Sequence, residues 1–127
     1  MANSVGFHEP IELISPEARE MHRALTSLQE ELEAVDWYRQ RADACGDAEL
    51  KEILLHNMRE EMEHAAMILE WLRRHDASMA QQLKTYIGSS GPILAVETAA
   101  EGGGASPPAA SGRTREGLTV GTMKEGD

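Results

Sequence analysis

The sequence has few of the residues that mark several large classes of protein. Its 127 residues include one cysteine, Cys45, which has no second thiol in the chain to pair with and suits a reducing cytoplasm. No apolar run approaches the roughly 20 residues that a membrane span needs. The N-terminal stretch also lacks the basic start and the apolar segment of a secretory signal. We therefore expect no membrane association.

Basic residues are also scarce, because 12 Lys and Arg stand against 22 Asp and Glu and leave a formal net charge of -10. Proteins that bind nucleic acid bring clustered Lys and Arg to the phosphates, so we expect no nucleic-acid partner. An acidic chain attracts cations instead. The same composition is equally typical of a solvated surface that keeps a helical protein soluble.

The sequence predicts two long helices with one strong break between them at Gly46. The first runs from about residue 16 to residue 44, because Ser15 is a good N-cap and a proline and a glutamate follow it. The second starts at the N-cap Asp47 and runs to about residue 75, with basic residues at its negative C-terminal end. Joined by so short a turn, the two form an antiparallel hairpin. A third, shorter helix, capped by Asp76, is expected to stop near residue 88.

Two ionisable residues interrupt a largely apolar face of the second helix. Glu61 and His64 are three positions apart and so share this face. An unpaired charge among apolar side chains costs several kcal/mol, so something must compensate these two residues. The face reads Leu50, Leu54, Asn57, Glu61, His64, Ile68 and Trp71.

A third polar residue is expected at the same height in the hairpin. Glu31 lies fifteen residues before Gly46, and Glu61 lies fifteen residues after it. At about 1.5 Å per residue both carboxylates stand roughly 22 Å from the turn. Small residues flank Glu31 along its face and leave room near its carboxylate. Glu31, Glu61 and His64 are thus half of the carboxylate di-iron set, in which two helices give one Glu each and two others give Glu-x-x-His.

A second copy of the chain would complete this set. Each helix has two apolar stripes, and one hairpin can cover only one stripe per helix, so the remainder needs another subunit. Two-fold pairing gives a four-helix bundle and doubles the three side chains to four carboxylates and two imidazoles. Two Fe²⁺ ions then balance the four negative charges. Mixed oxygen and nitrogen donors suit iron or manganese, and zinc could bind as a redox-silent competitor. The predicted fold is all-α.

Three segments resemble the encapsulated ferritins: EELEAVDWY at 30–38, EEMEHAAM at 60–67 and LEWLRR at 69–74. The resemblance covers roughly residues 8–95. It implies a ferritin-like antiparallel two-helix hairpin plus a short C-terminal helix, which completes a four-helix bundle by dimerisation. It also implies a di-iron ferroxidase site at the dimer interface and a ring-shaped decamer of five dimers.

The resemblance assigns roles to individual residues. Glu31, Glu61 and His64 match the family's iron ligands, each used twice, with two Fe per dimer interface. Trp37 and Tyr38 match aromatic residues beside that site, where the Tyr38 hydroxyl could hydrogen-bond a ligand and take part in catalysis, although interface packing explains both rings too.

Two further acids match a second family site, through which metal enters. Glu30 and Glu33 are three positions apart on one helix face, and a two-fold axis would double them to four carboxylates. Such a set could hold hydrated Ca²⁺ or another divalent cation weakly and pass iron inward. An ordinary solvated acidic face is the simpler interpretation of this pair.

The chain is short enough for one ordinary domain, which we place at residues 1–95. Residues 96–117 are rich in Gly, Ala, Ser and Pro and are typical of a flexible linker. Residues 118–127 contain Leu118, Val120 and Met123, which an extended groove could capture. This peptide resembles the cargo-loading peptides that dock ferritin-like enzymes inside encapsulin shells, and it implies an encapsulin nanocompartment in a prokaryotic cytoplasm.

The predicted function is a ferroxidase that oxidises Fe(II) with dioxygen and delivers Fe(III) for mineral storage inside the shell. Two other classes remain open. A rubrerythrin-like di-iron peroxidase would use similar ligands, although the chain has no cysteine pairs for a rubredoxin iron centre. A non-enzymatic helical oligomer would use the Glu and His side chains as a buried polar network.

Overall fold

The computed structural model describes residues 6–102, and every regular element in that range is helical. The elements are a short 3-10 turn at Ile11–Leu13 and four α-helices: α1, Pro16–Ala44; α2, Ala48–His75; α3, Ala77–Tyr86; and α4, Ile93–Gly102. The all-α prediction is confirmed, while completion of a four-helix bundle by dimerisation stays a prediction. None of the helices in this described range is long and apolar enough to cross a membrane.

The bounds of the two long helices follow from their caps. The Ser15 side chain accepts a hydrogen bond of 3.0 Å from the Ala18 amide, and a proline occupies the first turn of α1. At the start of α2, the Asp47 carboxylate accepts a bond of 2.7 Å from the Leu50 amide. Both predicted helices are therefore confirmed to within a residue at each end.

The segment before α1 is fastened to the outside of that helix. The Arg19 side chain donates to the backbone carbonyls of Ile14, at 3.0 Å, and Ile11. The ring of Phe7 lies 4.3 Å from the ring of His22, centroid to centroid. Residues 6–14 therefore belong to the first compact unit, which ends at His75.

α1 and α2 pack against each other as an antiparallel hairpin with a thin core. Within the described residues only Ala42, Met58, Ala65 and Leu72 are buried. Three of these lie on α2 at intervals of seven residues, so one stripe of α2 faces α1. Many large apolar side chains remain exposed, from 37% for Leu25 to 58% for Met67. A single hairpin therefore leaves much of its apolar surface in solvent.

The second unit begins at Asp76, whose carboxylate caps α3 by accepting a bond of 2.8 Å from the Met79 amide. α3 ends before Gly88, as predicted, and the chain turns through Gly88 and Gly91, which have φ angles of 81° and 85°. These are left-handed conformations that glycine adopts without strain.

α4 corrects the predicted start of the linker. Residues 96–102 are helical, although the sequence was expected to become a flexible linker at residue 96. The segment after Pro92 contains Leu, Ala and Glu, which are good helix formers, and no glycine occurs before Gly102. The rest of the predicted linker and the peptide at 118–127 lie outside the described residues.

Candidate metal centre

The hairpin brings three predicted ligands together halfway along its length. Ligand atoms of Glu31 on α1 and of Glu61 and His64 on α2 all lie within 4.8 Å of one another. The Nδ1 atom of His64 is 3.3 Å from Oε1 of Glu61 and 3.6 Å from Oε1 of Glu31. Two helices that start from the same turn place residues equally distant from it side by side, so the predicted common height is confirmed.

The cluster lies at the surface of the hairpin and not between its helices. The Glu31 and Glu61 side chains are 25% and 24% exposed, and His64 is 42% exposed. The buried stripe of α2 carries none of the three. One side of the cluster is therefore accessible to solvent.

The two carboxyl groups share a hydrogen bond that moves their acidities in opposite directions. The bond to Glu61 raises the pKa of Glu31, with partial burial and the Glu61 charge acting in the same sense, and the bond to Glu31 lowers the pKa of Glu61. The two shifts have one cause, because a hydrogen bond between two carboxyl groups favours the protonated form of one and the ionised form of the other. A hydrogen bond to Glu61 also raises the pKa of His64. Protons and a divalent cation would therefore compete for the same ligand atoms.

The donors fit a first-row divalent cation. Two carboxylates and one imidazole give mixed oxygen and nitrogen ligands, which suit Fe²⁺, Mn²⁺ or Zn²⁺. The raised pKa of Glu31 agrees with this fit. Two carboxylates this close repel each other, and a cation bound between them would relieve the repulsion. Three protein ligands also leave coordination positions open, which a substrate, water or a second subunit could fill.

The two aromatic residues predicted beside the site, Trp37 and Tyr38, both contact the guanidinium group of Arg41. The guanidinium carbon of Arg41 lies 5.5 Å from the centroid of the Tyr38 ring and 5.9 Å from that of the Trp37 ring. Trp37 is 48% exposed, and it lines a surface cavity of about 320 Å³ with Gln40 and Arg41. Sequence reasoning missed Arg41, although its spacing of three and four residues from the two rings was a usable signal.

Glu30 and Glu33 lie on α1 beside this cluster but outside the close group of three. Glu30 is exposed, and Glu33 is partly buried. Their role in metal passage stays a prediction.

A groove continues the face of the cluster toward the end of the hairpin remote from Gly46. It has a volume of about 370 Å³, and its lining residues come from both long helices. They are Glu20, Arg23, Ala24, Ser27, Met67, Ile68 and Trp71. Sequence reasoning noted that the residues flanking Glu31 are small but did not predict the groove.

A helical hairpin that gathers Glu, Glu and His on one face is typical of ferritin-like proteins, and this defines the class of the protein. The sequence matches the EncFtn-like family over residues 6–90. The chain therefore belongs to the encapsulated ferritin-like family, which confirms the resemblance found in its motifs.

Relatives cover most of the chain. It is 54% identical over 123 residues to an encapsulated ferritin-like protein of Rhodospirillum rubrum, with 92% of this chain and 86% of the relative aligned. It is 46% identical over 97 residues to a ferritin-like protein of Thermotoga maritima, covering 76% and 85%. It is 34% identical over 104 residues to the encapsulin nanocompartment cargo protein EncC of Myxococcus xanthus, covering 77% and 79%.

A solved structure supports the same fold. The crystal structure of protein ne0167 from Nitrosomonas europaea superposes with a TM-score of 0.67 and 57% sequence identity. The match covers 69% of this chain and 97% of that one. The ferritin-like helical fold is therefore shared with a relative of high identity.

Proposed function

We propose that this protein is a ferroxidase, which binds two Fe(II) ions as substrate between two copies of the chain and oxidises them with dioxygen. The observation that carries the proposal is the group of Glu31, Glu61 and His64, whose ligand atoms lie within 4.8 Å of one another on an uncovered face. Membership of the encapsulated ferritin-like family supports iron as the metal.

Dimerisation follows from the incomplete ligand set and from the exposed apolar surface. One copy supplies two carboxylates and one imidazole, and a two-fold axis doubles them to the set that carboxylate di-iron bundles use. Four carboxylates balance the charge of two Fe²⁺ ions. Leu32 and Met62, each next in sequence to a ligand, are 54% and 42% exposed in one copy and would be buried by the partner.

The side chains have distinct parts in this function. Fe(II) competes with protons for the Glu31 carboxyl, whose pKa Glu61 raises, so Fe(II) binding strengthens as pH rises. Both carboxylates then hold the ions, and His64 supplies a nitrogen donor whose Nδ1 atom faces the two acids. Each Fe(II) gives one electron to dioxygen, and the Fe(III) product leaves for mineral growth.

Neighbouring residues assist in this proposal. Tyr38 lies two turns from Glu31 on the same stripe, where its hydroxyl can hydrogen-bond a ligand, and Trp37 packs beside it. Glu30 and Glu33, doubled by the two-fold axis, gather Fe(II) or another divalent cation such as Ca²⁺ before transfer inward.

Delivery to an encapsulin shell is the second half of the proposed function. The Myxococcus xanthus relative is named as an encapsulin nanocompartment cargo protein. The Rhodospirillum rubrum relative aligns with 92% of this chain, which takes the alignment beyond the helical range 6–102. We assign the loading role to Leu118, Val120 and Met123. The protein would then work inside a nanocompartment of the prokaryotic cytoplasm, as a decamer of five dimers.

Stopped-flow absorbance tests the activity. Fe(II) is added to the protein without air, and air-saturated buffer follows. A ferroxidase gives a rapid rise in near-ultraviolet absorbance, which Glu61→Gln should abolish and which Glu52→Gln, on the exposed surface of the same helix, should keep. A rise no faster than the protein-free background would leave only a helical scaffold. A rise that needs hydrogen peroxide in place of dioxygen would favour the rubrerythrin-like peroxidase.

A further inference from the structure

Asn57 is a polar residue on the same face of α2 as two of the metal ligands, and it has no role in the proposed chemistry. It precedes Glu61 by four residues and His64 by seven, so the three side chains share one face. The buried stripe of α2 agrees with this placement. Asn57 directly precedes the buried Met58, just as His64 directly precedes the buried Ala65, so both flank the core on the same side.

The Asn57 amide needs hydrogen-bond partners in this position. It is partly buried, and the proposed function places its face against a second copy, which would remove it further from water. An amide that leaves water without a compensating hydrogen bond destabilises the structure that buries it. Glu61 and His64 are 3.3 Å apart and already pair, whereas the Asn57 side chain forms no hydrogen bond within residues 6–102 of a single copy.

Helix geometry leaves one partner on α2 for this amide. The residues three and four positions away are Ile53, Leu54, Glu60 and Glu61. The first two have no polar atoms in their side chains. Glu60 is 49% exposed and lies 3.9 Å from His56, so it faces solvent and has another partner. Glu61 belongs to the metal cluster and lies on the same face as the amide.

The facing helix offers no better acceptor. Val35 lies eleven residues before Gly46 and Asn57 eleven residues after it, so α1 places an apolar side chain at the level of the amide. Tyr38 lies about 4.5 Å nearer the turn, and its hydroxyl can donate to the amide carbonyl. The amide N–H groups remain, and a carboxylate accepts from them more strongly than a neutral oxygen does.

The Glu61 side chain leans toward Asn57. The Cα–Cβ bonds of an α-helix tilt toward its N-terminus, so a long side chain covers the turn before its own Cα atom. For Glu61 that turn carries Asn57, whose Cβ atom is about 5–6 Å from the Cβ atom of Glu61. A carboxylate has about four acceptor positions. Glu61 can therefore accept a hydrogen bond from the amide while it binds a cation.

We propose that Asn57 is a positioning residue, whose side-chain N–H donates a hydrogen bond to the Glu61 carboxylate and orients it toward the bound metal ion. The inference rests on the proposed metal site and adds a residue to it. Groups that hold a metal ligand in this way fix its orientation, and their loss typically lowers metal affinity about 10–100-fold. Because the amide is neutral, it orients the carboxylate without cancelling the charge that attracts the cation.

Zn(II) titration tests the proposal without redox chemistry, because Zn(II) accepts the same mixed donors. Asn57→Leu keeps the branched shape of the side chain and removes its hydrogen-bond donors. By calorimetry its affinity for Zn(II) should be about tenfold or more below that of wild type. Gln29→Leu is the matched control, since Gln29 is an exposed amide that does not share a face with Glu31, and it should bind Zn(II) as wild type does. Equal affinity in wild type and Asn57→Leu would overturn the proposal.

Unfolding of the metal-free protein separates positioning from a structural role. Leucine on this apolar face buries more apolar surface than asparagine, so the thermal midpoint of Asn57→Leu should equal or exceed that of wild type. An asparagine that only supports the fold would lose stability and Zn(II) affinity together when replaced. A parallel fall of both quantities would therefore contradict the assignment.

Nuclear magnetic resonance of the side-chain amide observes the hydrogen bond itself. The chain has two asparagines, Asn3 and Asn57, so labelling with 15N-asparagine gives a simple spectrum. The signals that disappear in Asn57→Leu belong to Asn57. Adding Zn(II) to wild type should move one Asn57 amide proton downfield and slow its exchange with water, because the carboxylate accepts a charge-assisted bond. Asn57 signals that stay unmoved when Zn(II) binds would refute the contact.

Failure of this inference is distinct from failure of the proposed function. Zn(II) binding that is lost in Glu61→Gln and unchanged in Asn57→Leu would refute the role of Asn57 and leave the ferroxidase proposal standing. Zn(II) binding that depends on both residues, in a wild type that oxidises Fe(II) no faster than background, would refute the ferroxidase and support Asn57 as a positioning residue.

Discussion

Glu31 and Glu61 lie fifteen residues on either side of Gly46, and the hairpin brings a carboxylate oxygen of each within 4.8 Å of the other. Hydrogen bonding between the two carboxyl groups raises the pKa of Glu31 and lowers that of Glu61. A divalent cation competes for the same oxygens. The turn and the helical rise alone therefore place the two carboxylates where a divalent cation could bind both.

Metal binding should stabilise the fold. Anaerobic Fe(II) at a free concentration a hundredfold above its Kd should add about 2.7 kcal/mol to the free energy of unfolding. The midpoint of thermal unfolding, followed by circular dichroism, should rise accordingly for wild type and for Glu52→Gln. It should stay unchanged by Fe(II) in a Glu31→Gln/Glu61→Gln variant. An equal rise in that variant would place the bound metal elsewhere.

The acids beside the cluster should affect the rate of iron uptake more than its final extent. Replacing Glu30 and Glu33 with alanine removes four carboxylates from a dimer and weakens the local attraction for cations. Stopped-flow oxidation should slow severalfold at low Fe(II), while anaerobic titration should still reach two Fe(II) per dimer. Unchanged kinetics in this double variant would count against a role in metal passage.

The C-terminal peptide should be needed for loading and not for chemistry. Deleting residues 118–127 should abolish co-purification with the encapsulin shell protein and leave Fe(II) oxidation by the free protein intact. Replacing Leu118, Val120 and Met123 with serine should have the same effect, because these apolar side chains supply the contacts with a groove. If the serine variant co-purified with the shell protein at the wild-type ratio, the loading role of these three residues would be contradicted.

Stability should depend on pH through Glu70. Hydrogen bonds from Arg73 and Arg74 hold the pKa of Glu70 at about 2, below its ordinary value of 4.5. The ionised carboxylate therefore stabilises the folded state above about pH 4.5, and this contribution is lost as pH falls from there through about 2. Thermal unfolding of wild type and Glu70→Gln should differ at pH 6 and converge toward pH 2. High salt should reduce the difference, because the pair is exposed.

The core of the hairpin should be sensitive at Leu72, which is fully buried. Leu72→Ala leaves a cavity and should lower the free energy of unfolding by about 2–5 kcal/mol in urea. Leu13→Ala is the matched control, since the Leu13 side chain is 76% exposed, and it should change stability far less. Equal losses in the two variants would show that α2 does not pack as described.

The long helices and the three-residue cluster could be predicted because their signals are local. Ser15, Asp47 and Asp76 each accept a backbone hydrogen bond from a residue three positions on, a pattern visible in the sequence itself. The position of Glu31 opposite Glu61 needs only the turn and the rise per residue. These features depend on no contact between distant parts of the chain.

Two features could not be predicted in the same way. α4 begins directly after Pro92, in a stretch where proline and glycine indicated a linker. The residues between Pro92 and Gly102 have high helix propensity, and this outweighed the helix-breaking residues on either side. The groove beside the cluster depends on how Trp71, Met67 and Ile68 are oriented once both helices have packed. Side-chain orientation of that kind follows from tertiary packing and not from periodicity.

The scarcity of buried side chains in the hairpin has a consequence for newly made chains. With only four residues of the described range buried, a single copy gains little from folding, and the proposed dimer would supply much of its stability. Its melting temperature should therefore climb with protein concentration. In the proposed dimer the metal site is complete only after association, so the share of chains able to oxidise iron would rise with expression level.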